Sequence, residues 1–214
     1  MEILLHRCIS HEQSIFVEGQ SILDNIIIAS EMINHLRCKR KGKIGEIAIK
    51  IDISKTFDRV HPNYLFGMMN KMSFHEKWIG WMKMCLETIN FSVVGINEDS
   101  IEPIILVRGL RQGDSFSPYL FILCTKDLTT LIKRAESIGD LHGVKVCKGT
   151  PNLSHLLFAD DCCCFFFFTL SVNEEEASYF SNILDLYGKA LGQQINLHKL
   201  EVFSALTLIN LTIN

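Results

Sequence analysis

Two adjacent carboxylates, Asp160 and Asp161, interrupt the apolar stretch LLFADDCCCFF at residues 156–166. The apolar residues on both sides predict two buried strands, joined as a hairpin with the acidic pair at its tight turn. This turn lacks the Asn-Gly or Asp-Gly pair that is typical of tight hairpins. The two acids are either solvated residues of a surface turn, where Asp is common, or part of a functional site.

A third acid, Asp52, lies near the end of another predicted strand. Isoleucine recurs at every second position from 47 to 53, and this alternation of β-branched residues is typical of a strand. Asp52, Asp160 and Asp161 would meet if the strand and the hairpin were neighbours in one sheet. Carboxylates held together repel one another unless they share cations, and hard oxygen ligands favour Mg²⁺. Two such ions, roughly 3.5 to 4 Å apart, suit an in-line displacement at phosphorus.

The length and charge of the chain limit the classes of function. Its 214 residues suit one domain, or one domain with a subdomain, and a sizeable core. The 21 basic and 24 acidic side chains give a net charge of -3, so no overall positive field indicates a polyanion partner. Residues 37–43 are mostly basic, and this segment is either a solvated loop or a contact to the phosphates of a nucleic acid.

The eight cysteines show no C-x-x-C pair and no regular framework. Their pattern predicts reduced, buried core residues of an intracellular protein, in the nucleus or the cytoplasm, with neither disulfides nor a zinc site. No stretch approaches the roughly 18 apolar residues of a membrane span, and the apolar start is too short for a signal peptide. We therefore expect no membrane span.

Periodicity and capping signals predict three helices in the first half of the chain. The first runs from a Ser21 N-cap to about residue 37, the second opens at Pro62 and ends near residue 72, and the third spans about 75–88. The residues expected to face the core are Ile22, Ile26, Ala29, Ile33 and Leu36 in the first helix, and Trp78, Trp81, Met82, Cys85 and Leu86 in the third.

Two more helices and further strands are predicted in the second half. One helix has Ser117 as its N-cap and Pro118 as its first residue, and the other begins with a capping box at Ser171 and ends at Gly192. Strands are expected at 91–96 and 101–107, as a hairpin, and at 201–205. Because strands and helices do not alternate regularly, the fold class is α+β with a mainly antiparallel sheet.

Four ordered motifs resemble one known family. They are AIKIDISKTFDRV at 48–60, RGLRQGDSFSPYLF at 108–121, FADD at 158–161 and GQQINLHK at 192–199. In order and spacing they are similar to four successive motifs of the reverse transcriptase of LINE-type (non-LTR) retrotransposons, in the form abundant in plants. The segment QSIFVEG at 13–19, with Asp24 and Asn25, resembles the region that precedes them, and the match extends to about residue 204.

The resemblance implies a reverse-transcriptase palm with part of the fingers. Residues 1–45 would be a truncated fingers remnant, residues 46–205 the palm, with helices and a hairpin at about 62–107, and residues 206–214 a tail. The implied activity is that of an RNA-directed DNA polymerase that uses two Mg²⁺ ions, or Mn²⁺. The implied partners are an RNA template, a DNA primer and deoxynucleoside triphosphates.

By matched position, the resemblance also implies roles for individual residues. Asp52, Asp160 and Asp161 would be the metal-binding carboxylates, with the Ile53 carbonyl as a further ligand. Phe57 would exclude a ribose 2'-hydroxyl, although packing in the core is an alternative explanation for this ring.

The other two motifs imply contacts to the incoming nucleotide. Arg111, Gln112 and Gly113 would lie beside this nucleotide and the template, where Arg111 contacts phosphate and Gly113 permits close approach of the backbone. Lys199 would lie near the nucleotide phosphates as a general acid, whereas an isolated lysine is usually a solvated surface residue.

Departures from the family pattern leave a second function open. Gln20, Thr56, Ser115 and Leu200 replace the usual residues, but none of them is a predicted metal ligand. The resemblance also implies that the chain begins inside the fingers and ends before a thumb. The alternative is therefore a catalytically silent remnant that at most binds nucleic acid or a protein partner. A phosphatase with Asp52 as nucleophile is disfavoured, because Ser54 occupies the position of the second acid that such enzymes generally have.

Overall fold

The structure of the protein is a computed structural model. It describes residues 21–39, 45–54, 57–87, 90–91, 104–105, 109–110, 114, 116–147, 149–159, 164–171, 173–192, 194–195 and 200–204. The helices in these ranges are α1 (Ile22–Cys38), α2 (Pro62–Lys71), α3 (Glu76–Glu87), α4 (Ser117–Ile138) and α5 (Glu174–Leu191). The strands are β1 (Glu46–Ser54), β2 (Asn90–Phe91), β3 (Ile104–Ile105), β4 (His155–Ala159), β5 (Cys164–Ser171), β6 (Gln194–Ile195) and β7 (Glu201–Ser204).

Strand β1 is the centre of the main sheet. It pairs with β5 on one side, and β5 pairs with β4, so that the order is β4-β5-β1-β6, with β7 also paired to β1. Every one of these pairings is antiparallel. The predicted α+β class with a mainly antiparallel sheet is therefore confirmed.

The hairpin around the acidic pair is confirmed as a pairing of β4 with β5. Its register joins His155 to Phe168 at one end and Ala159 to Cys164 at the other. Four residues, 160–163, connect the paired ends, and they lie outside the described residues. The hairpin predicted at 91–107 is described only at its β2–β3 pairs, which are also antiparallel.

The sheet buries apolar side chains on both faces because alternate residues of a strand point to opposite sides. Ile47, Ile51 and Leu157 belong to the larger core, which also contains residues of α2, α3, α4 and α5. Ala48 and Leu156 belong to the smaller core, where they meet residues of α1. The sheet is thus a layer between α1 and the other four helices.

Helix α1 has the predicted N-cap, since the Ser21 side chain accepts a hydrogen bond from the Leu23 N–H. Its inward face was predicted only in part. Leu36 is buried, but Ile26 is exposed, and Asn25 is buried instead. Residues 22–28 are apolar on nearly all sides, so their periodicity could not select the face that packs on the sheet.

Helix α3 lies rotated relative to its predicted orientation. Met82 is buried as expected, and Trp78 is partly buried, but Trp81 and Cys85 are exposed. Ile79, which was not predicted to be in the core, is buried. Apolar side chains on adjacent faces of this helix form two possible apolar stripes. In the observed orientation, the stripe with Ile79 and Met82 is buried, and the helix packs against α2.

Two predicted caps lie elsewhere. Phe116 is the N-cap of α4 and has no capping side chain, while Ser117 is a buried residue of the first turn. At α5 the cap is Asn173, whose side-chain oxygen accepts a hydrogen bond of 3.0 Å from the Glu175 N–H. Ser171 cannot serve as this cap because it is the last residue of β5.

Asn173→Ala should destabilise the protein, because it removes the acceptor for an N–H that has no partner inside the helix. The expected loss is about 1 kcal/mol in the free energy of unfolding, measured by urea denaturation. Ser171→Ala is the matched control and should cost less. A larger effect at Ser171 than at Asn173 would contradict this cap.

The cysteines were predicted to be buried, and this was wrong for most of those described. Cys38, Cys85 and Cys147 are exposed free thiols, and Cys124 is the buried one. Burial raises the pKa of the Cys124 thiol, and the nearby negative charge of Asp127 raises it further. Exposure is possible without disulfides because a single thiol on a helix or loop surface requires no partner.

The native protein should therefore react with iodoacetamide at Cys38, Cys85 and Cys147 long before Cys124. The reason is that alkylation needs an accessible thiolate, and Cys124 is both buried and kept protonated. Peptide mapping by mass spectrometry after timed quenching measures the order. Equal labelling of all four sites in urea is the control, and early native labelling of Cys124 would contradict the packing of α4.

Candidate active site

Asp52 is a buried acid in the central strand of the sheet. The residue is 5% exposed, and its backbone is paired with Phe165 of β5. The next residue, Ile53, is paired with Ile195 of β6 on the other side of β1. Asp52 is therefore held between two neighbouring strands, near the end of β1, as the sequence predicted.

The register of three strands relates Asp52 to the acidic hairpin. Phe158 of β4 pairs with Phe165, and Phe165 pairs with Asp52, so these residues form one row across the sheet. The connection 160–163 leaves β4 one residue after this row. Asp160 and Asp161 themselves lie outside the described residues. Within the described ranges, no group of three or more His, Cys, Asp or Glu side chains is arranged to hold a metal ion.

Phe57 is packed in the turn that follows β1. It is buried, and its ring centroid lies 5.3 Å from that of Phe121 in α4, with the planes tilted by 48°. This contact accounts for Phe57 as a core residue, which was the alternative explanation of its ring. It also fixes the orientation of the ring close to the end of β1.

The same turn is bonded to the start of the segment RGLRQGDS at 108–115, which belongs to the second motif. The Leu110 N–H donates to the Phe57 carbonyl at 2.7 Å, and the Gly109 N–H donates to the Val60 carbonyl at 3.0 Å. The loop residues that follow, Arg111, Gln112 and Gly113, lie outside the described residues. The chain thus enters this loop from a point bonded to the turn that follows Asp52.

Lys199 also lies outside the described residues, but the strands on either side of it are described. Both β6 and β7 pair with β1. Next to this segment, the Lys50 ammonium forms an ion pair of 2.8 Å with Glu201. The chain before and after Lys199 is therefore attached to the strand that carries Asp52.

Sequence reasoning missed two buried polar contacts to β4. Asn25 of α1 is buried, and its side-chain amide donates to the Leu157 carbonyl at 3.5 Å. His155 is fully buried and contacts Ser154 and Thr129 through its two ring nitrogens. The available signal was a polar residue inside an otherwise apolar pattern, at Asn25 among isoleucines and at His155 beside LLF.

Two other charged or polar contacts have local roles. The Tyr64 hydroxyl donates to Asp127 at 2.8 Å and links α2 to α4. Burial raises the pKa of Tyr64, and this hydrogen bond raises it further. In the basic segment, Lys39 forms an ion pair of 2.5 Å with Glu46. This pair gives the Lys39 charge a partner within the protein.

These elements and the position of Asp52 define the class of protein. The chain belongs to the reverse transcriptase (RNA-dependent DNA polymerase) family, whose model matches residues 2–211. Within the family it is a reverse transcriptase domain of the non-LTR retrotransposon kind. The resemblance seen in the sequence motifs is thereby confirmed.

Several relatives support this assignment. The chain is 33% identical over 159 residues to the retrovirus-related Pol polyprotein from the type-1 retrotransposable element R2 of Nasonia vitripennis, covering 73% of this chain and 14% of the relative. It is 29% identical over 140 residues to a 149 kDa protein of transposon TX1 of Xenopus laevis, covering 63% and 10%. A mitochondrial protein of Arabidopsis thaliana is 59% identical over 54 residues, or 25% of this chain and 44% of that protein. The chain therefore spans less than half the length of these relatives.

Solved structures show the same fold. A telomerase of Candida tropicalis, truncated from its C-terminal domain, aligns with a TM-score of 0.56 and 17% identity, over 86% of this chain and 35% of that one. A telomerase of Candida albicans aligns with a TM-score of 0.55 and 13% identity, over 91% and 31%. The expected α+β reverse-transcriptase palm is thus confirmed. The proposed domain boundaries at residues 45 and 205 stay predictions.

Among the described residues, no helix is long and apolar enough to cross a membrane.

Gly109→Ala should destabilise the protein, because Gly109 has a φ of +99° and an added Cβ would lie 2.7 Å from the Asp58 carbonyl oxygen. We expect a loss of at least about 1 kcal/mol in the free energy of unfolding by urea denaturation. Gly67→Ala in α2 is the control, since nothing lies within 4 Å of its added Cβ. It should stabilise by about 0.5 to 1 kcal/mol. A neutral Gly109→Ala would contradict the close approach of the two turns.

Proposed function

We propose that the chain carries the nucleotidyl-transfer site of an RNA-directed DNA polymerase, in which Asp52, Asp160 and Asp161 bind two Mg²⁺ ions. The observation that carries the proposal is the row formed by Phe158, Phe165 and Asp52. It sets the end of the acidic hairpin beside the strand that carries Asp52.

The spacing in this row suits a shared ion site. Neighbouring strands lie about 4.8 Å apart, so the backbones of Phe158 and Asp52 are separated by roughly two such steps. Phe158 and Asp52 also lie on the same sheet face, because paired residues point to one side. Asp160 follows Phe158 by two residues in the sequence, directly after β4 ends at Ala159.

The chemistry of the donor set fits a hard divalent cation. Three carboxylates, with the Ile53 carbonyl, supply only oxygen ligands, which Mg²⁺ and Mn²⁺ accept. Asp52 is 5% exposed. The negative charge of a carboxylate in such a place is stabilised by a nearby cation and destabilised by other acids. When bound, two such ions would activate the primer hydroxyl and stabilise the leaving pyrophosphate.

The remaining site residues would select and orient the nucleotide. Phe57 would form a wall against a ribose 2'-hydroxyl, and its contact with Phe121 supports a fixed ring. Gly113 would let the backbone approach the nucleotide, and Arg111 would bind phosphate, with Gln112 beside the template. Lys199 would donate a proton to the leaving group.

The proposed partners are an RNA template, a DNA primer and deoxynucleoside triphosphates. The family to which the chain belongs, the RNA-dependent DNA polymerases, supports RNA as the template. One of the structurally similar telomerases, from Candida tropicalis, was solved in complex with a fragment of telomeric RNA. The net charge of -3 means that the grip on nucleic acid has to come from local groups rather than the overall field.

Primer extension on an RNA template tests the proposal. The 214-residue chain should extend a primed template with Mg²⁺ or Mn²⁺, and Asp52→Asn, Asp160→Asn and Asp161→Asn should each lower the rate at least about 100-fold. The expected loss follows from the several kcal/mol that a metal ion contributes to stabilising the transition state.

Asp185→Asn is the matched control, because Asp185 is an exposed acid that forms an ion pair with Lys189 one turn further along α5. Its rate should stay within about twofold of the wild type, as is usual for a surface substitution. Undiminished extension by Asp160→Asn would rule out the metal site. Absence of extension by the wild-type chain would refute activity of this chain and leave its family membership intact.

A further inference from the structure

We propose that His155 is a positioning residue for this reaction, because its contact with Thr129 fixes strand β4, and hence the acidic pair that follows it, against helix α4. The inference rests on the proposed function. His155 does not touch the reacting atoms in this role, since it acts through the strand it belongs to.

The contact is a buried chain of three polar side chains. His155 Nδ1 lies 2.8 Å from Ser154 Oγ, and His155 Nε2 lies 3.3 Å from Thr129 Oγ1. His155 is 0% exposed, Thr129 1% and Ser154 9%. Thr129 lies in the middle of α4, so the chain of contacts joins the sheet to the helix that packs on it.

The imidazole is well suited to this place. A neutral ring has one N–H donor and one acceptor nitrogen, and each neighbouring hydroxyl can both donate and accept. Both ring nitrogens are therefore satisfied in either tautomer. A leucine would fill the same core position, but it would not fix the direction of the contact between β4 and α4, because apolar packing is non-directional.

Strand β4 has a particular need for such a contact. Among the described strands it lies at the edge of the sheet, paired only with β5. Its position perpendicular to the sheet therefore depends on the helices that cover it. The Asn25 amide contacts the Leu157 carbonyl from α1, and Thr129 contacts His155 from α4, so polar groups from two helices hold this strand.

The contact connects the two halves of the proposed site. Asp160 follows His155 by five residues, directly after β4 ends at Ala159. Helix α4, which carries Thr129, begins four residues after Gly113 of the proposed nucleotide-binding loop. The contact between Thr129 and His155 therefore joins the strand that leads to the acidic pair to the helix that follows this loop. A displacement of 1 Å between reacting groups can lower a rate by about 100-fold.

A buried histidine can also have a purely stabilising role, and the Thr129 variants distinguish the two. Thr129→Val keeps the shape of the side chain but removes its hydroxyl, whereas Thr129→Ser keeps the hydroxyl and removes a methyl group. Thr125→Val is the matched control. Thr125 is also 1% exposed in α4, but its hydroxyl donates to the Ile122 carbonyl of its own helix at 2.8 Å.

Single-nucleotide incorporation by the full 214-residue chain gives the first readout. We expect Thr129→Val to lower kcat about 10-fold with little change in KM for the nucleotide, because a displacement smaller than the 1 Å that costs about 100-fold would misplace the reacting groups without removing a nucleotide contact. Thr129→Ser should recover kcat to within about threefold because it restores the hydroxyl that contacts His155. Thr125→Val should keep kcat because the Thr125 hydroxyl bonds only within its own helix in the described contacts. An unchanged kcat in Thr129→Val, or an equal decrease in Thr125→Val, would overturn the proposal.

Hydrogen–deuterium exchange at the amides of 155–171 gives a second readout that does not need activity. Thr129→Val should speed exchange in β4 and β5 selectively, while α5 keeps its protection. If the wild-type chain extends no primer, the proposed function fails, but exchange still decides whether this contact fixes β4. Unchanged exchange in Thr129→Val, or a uniform increase across the chain, would overturn the positioning role. Thr129→Ala replaces Thr129→Val in both readouts if the valine variant does not fold.

Discussion

The pairing of β1 with β5 is the constraint on which the rest of the site depends. Seven residue pairs fix its register, from Glu46 with Ser171 to Asp52 with Phe165. A slip of one residue would turn every side chain of β1 to the opposite face of the sheet. Asp52 would then enter the larger core, and Ile51 would leave it. The register therefore determines both the core and the place of the proposed metal ligand.

Two cores of unequal size enforce this register. Ile47 and Ile51 pack with the helices on one face, and Ala48 packs with α1 on the other. The small side chain of Ala48 lets α1 approach the sheet, and Lys50 on the same face is paired with Glu201 at the surface. Asp52 lies near the end of this strand, after the residues that fill the two cores.

Local signals were sufficient where the chain itself sets the structure. Pro62 opens α2 and Gly192 ends α5 with a φ of 78°, because ring geometry and the absent Cβ act within a few residues. Local signals were insufficient at Ser171, because pairing with Glu46 makes this residue the last of β5 and not a helix cap. Local signals were also insufficient at Trp81. Its exposure depends on which of two apolar stripes of α3 packs against α2.

The sequence alone determined the family, the α+β class, the strand that carries Asp52 and the hairpin that carries the acidic pair. These follow from ordered motifs and from alternation over a few residues. Only the tertiary structure decided that Asp52 shares a row with Phe158, that Asn25 reaches the Leu157 carbonyl and that Thr129 meets His155. Asn25 and Leu157 are 132 residues apart in the chain. Such contacts depend on the joint packing of the sheet and helices, which no local propensity encodes.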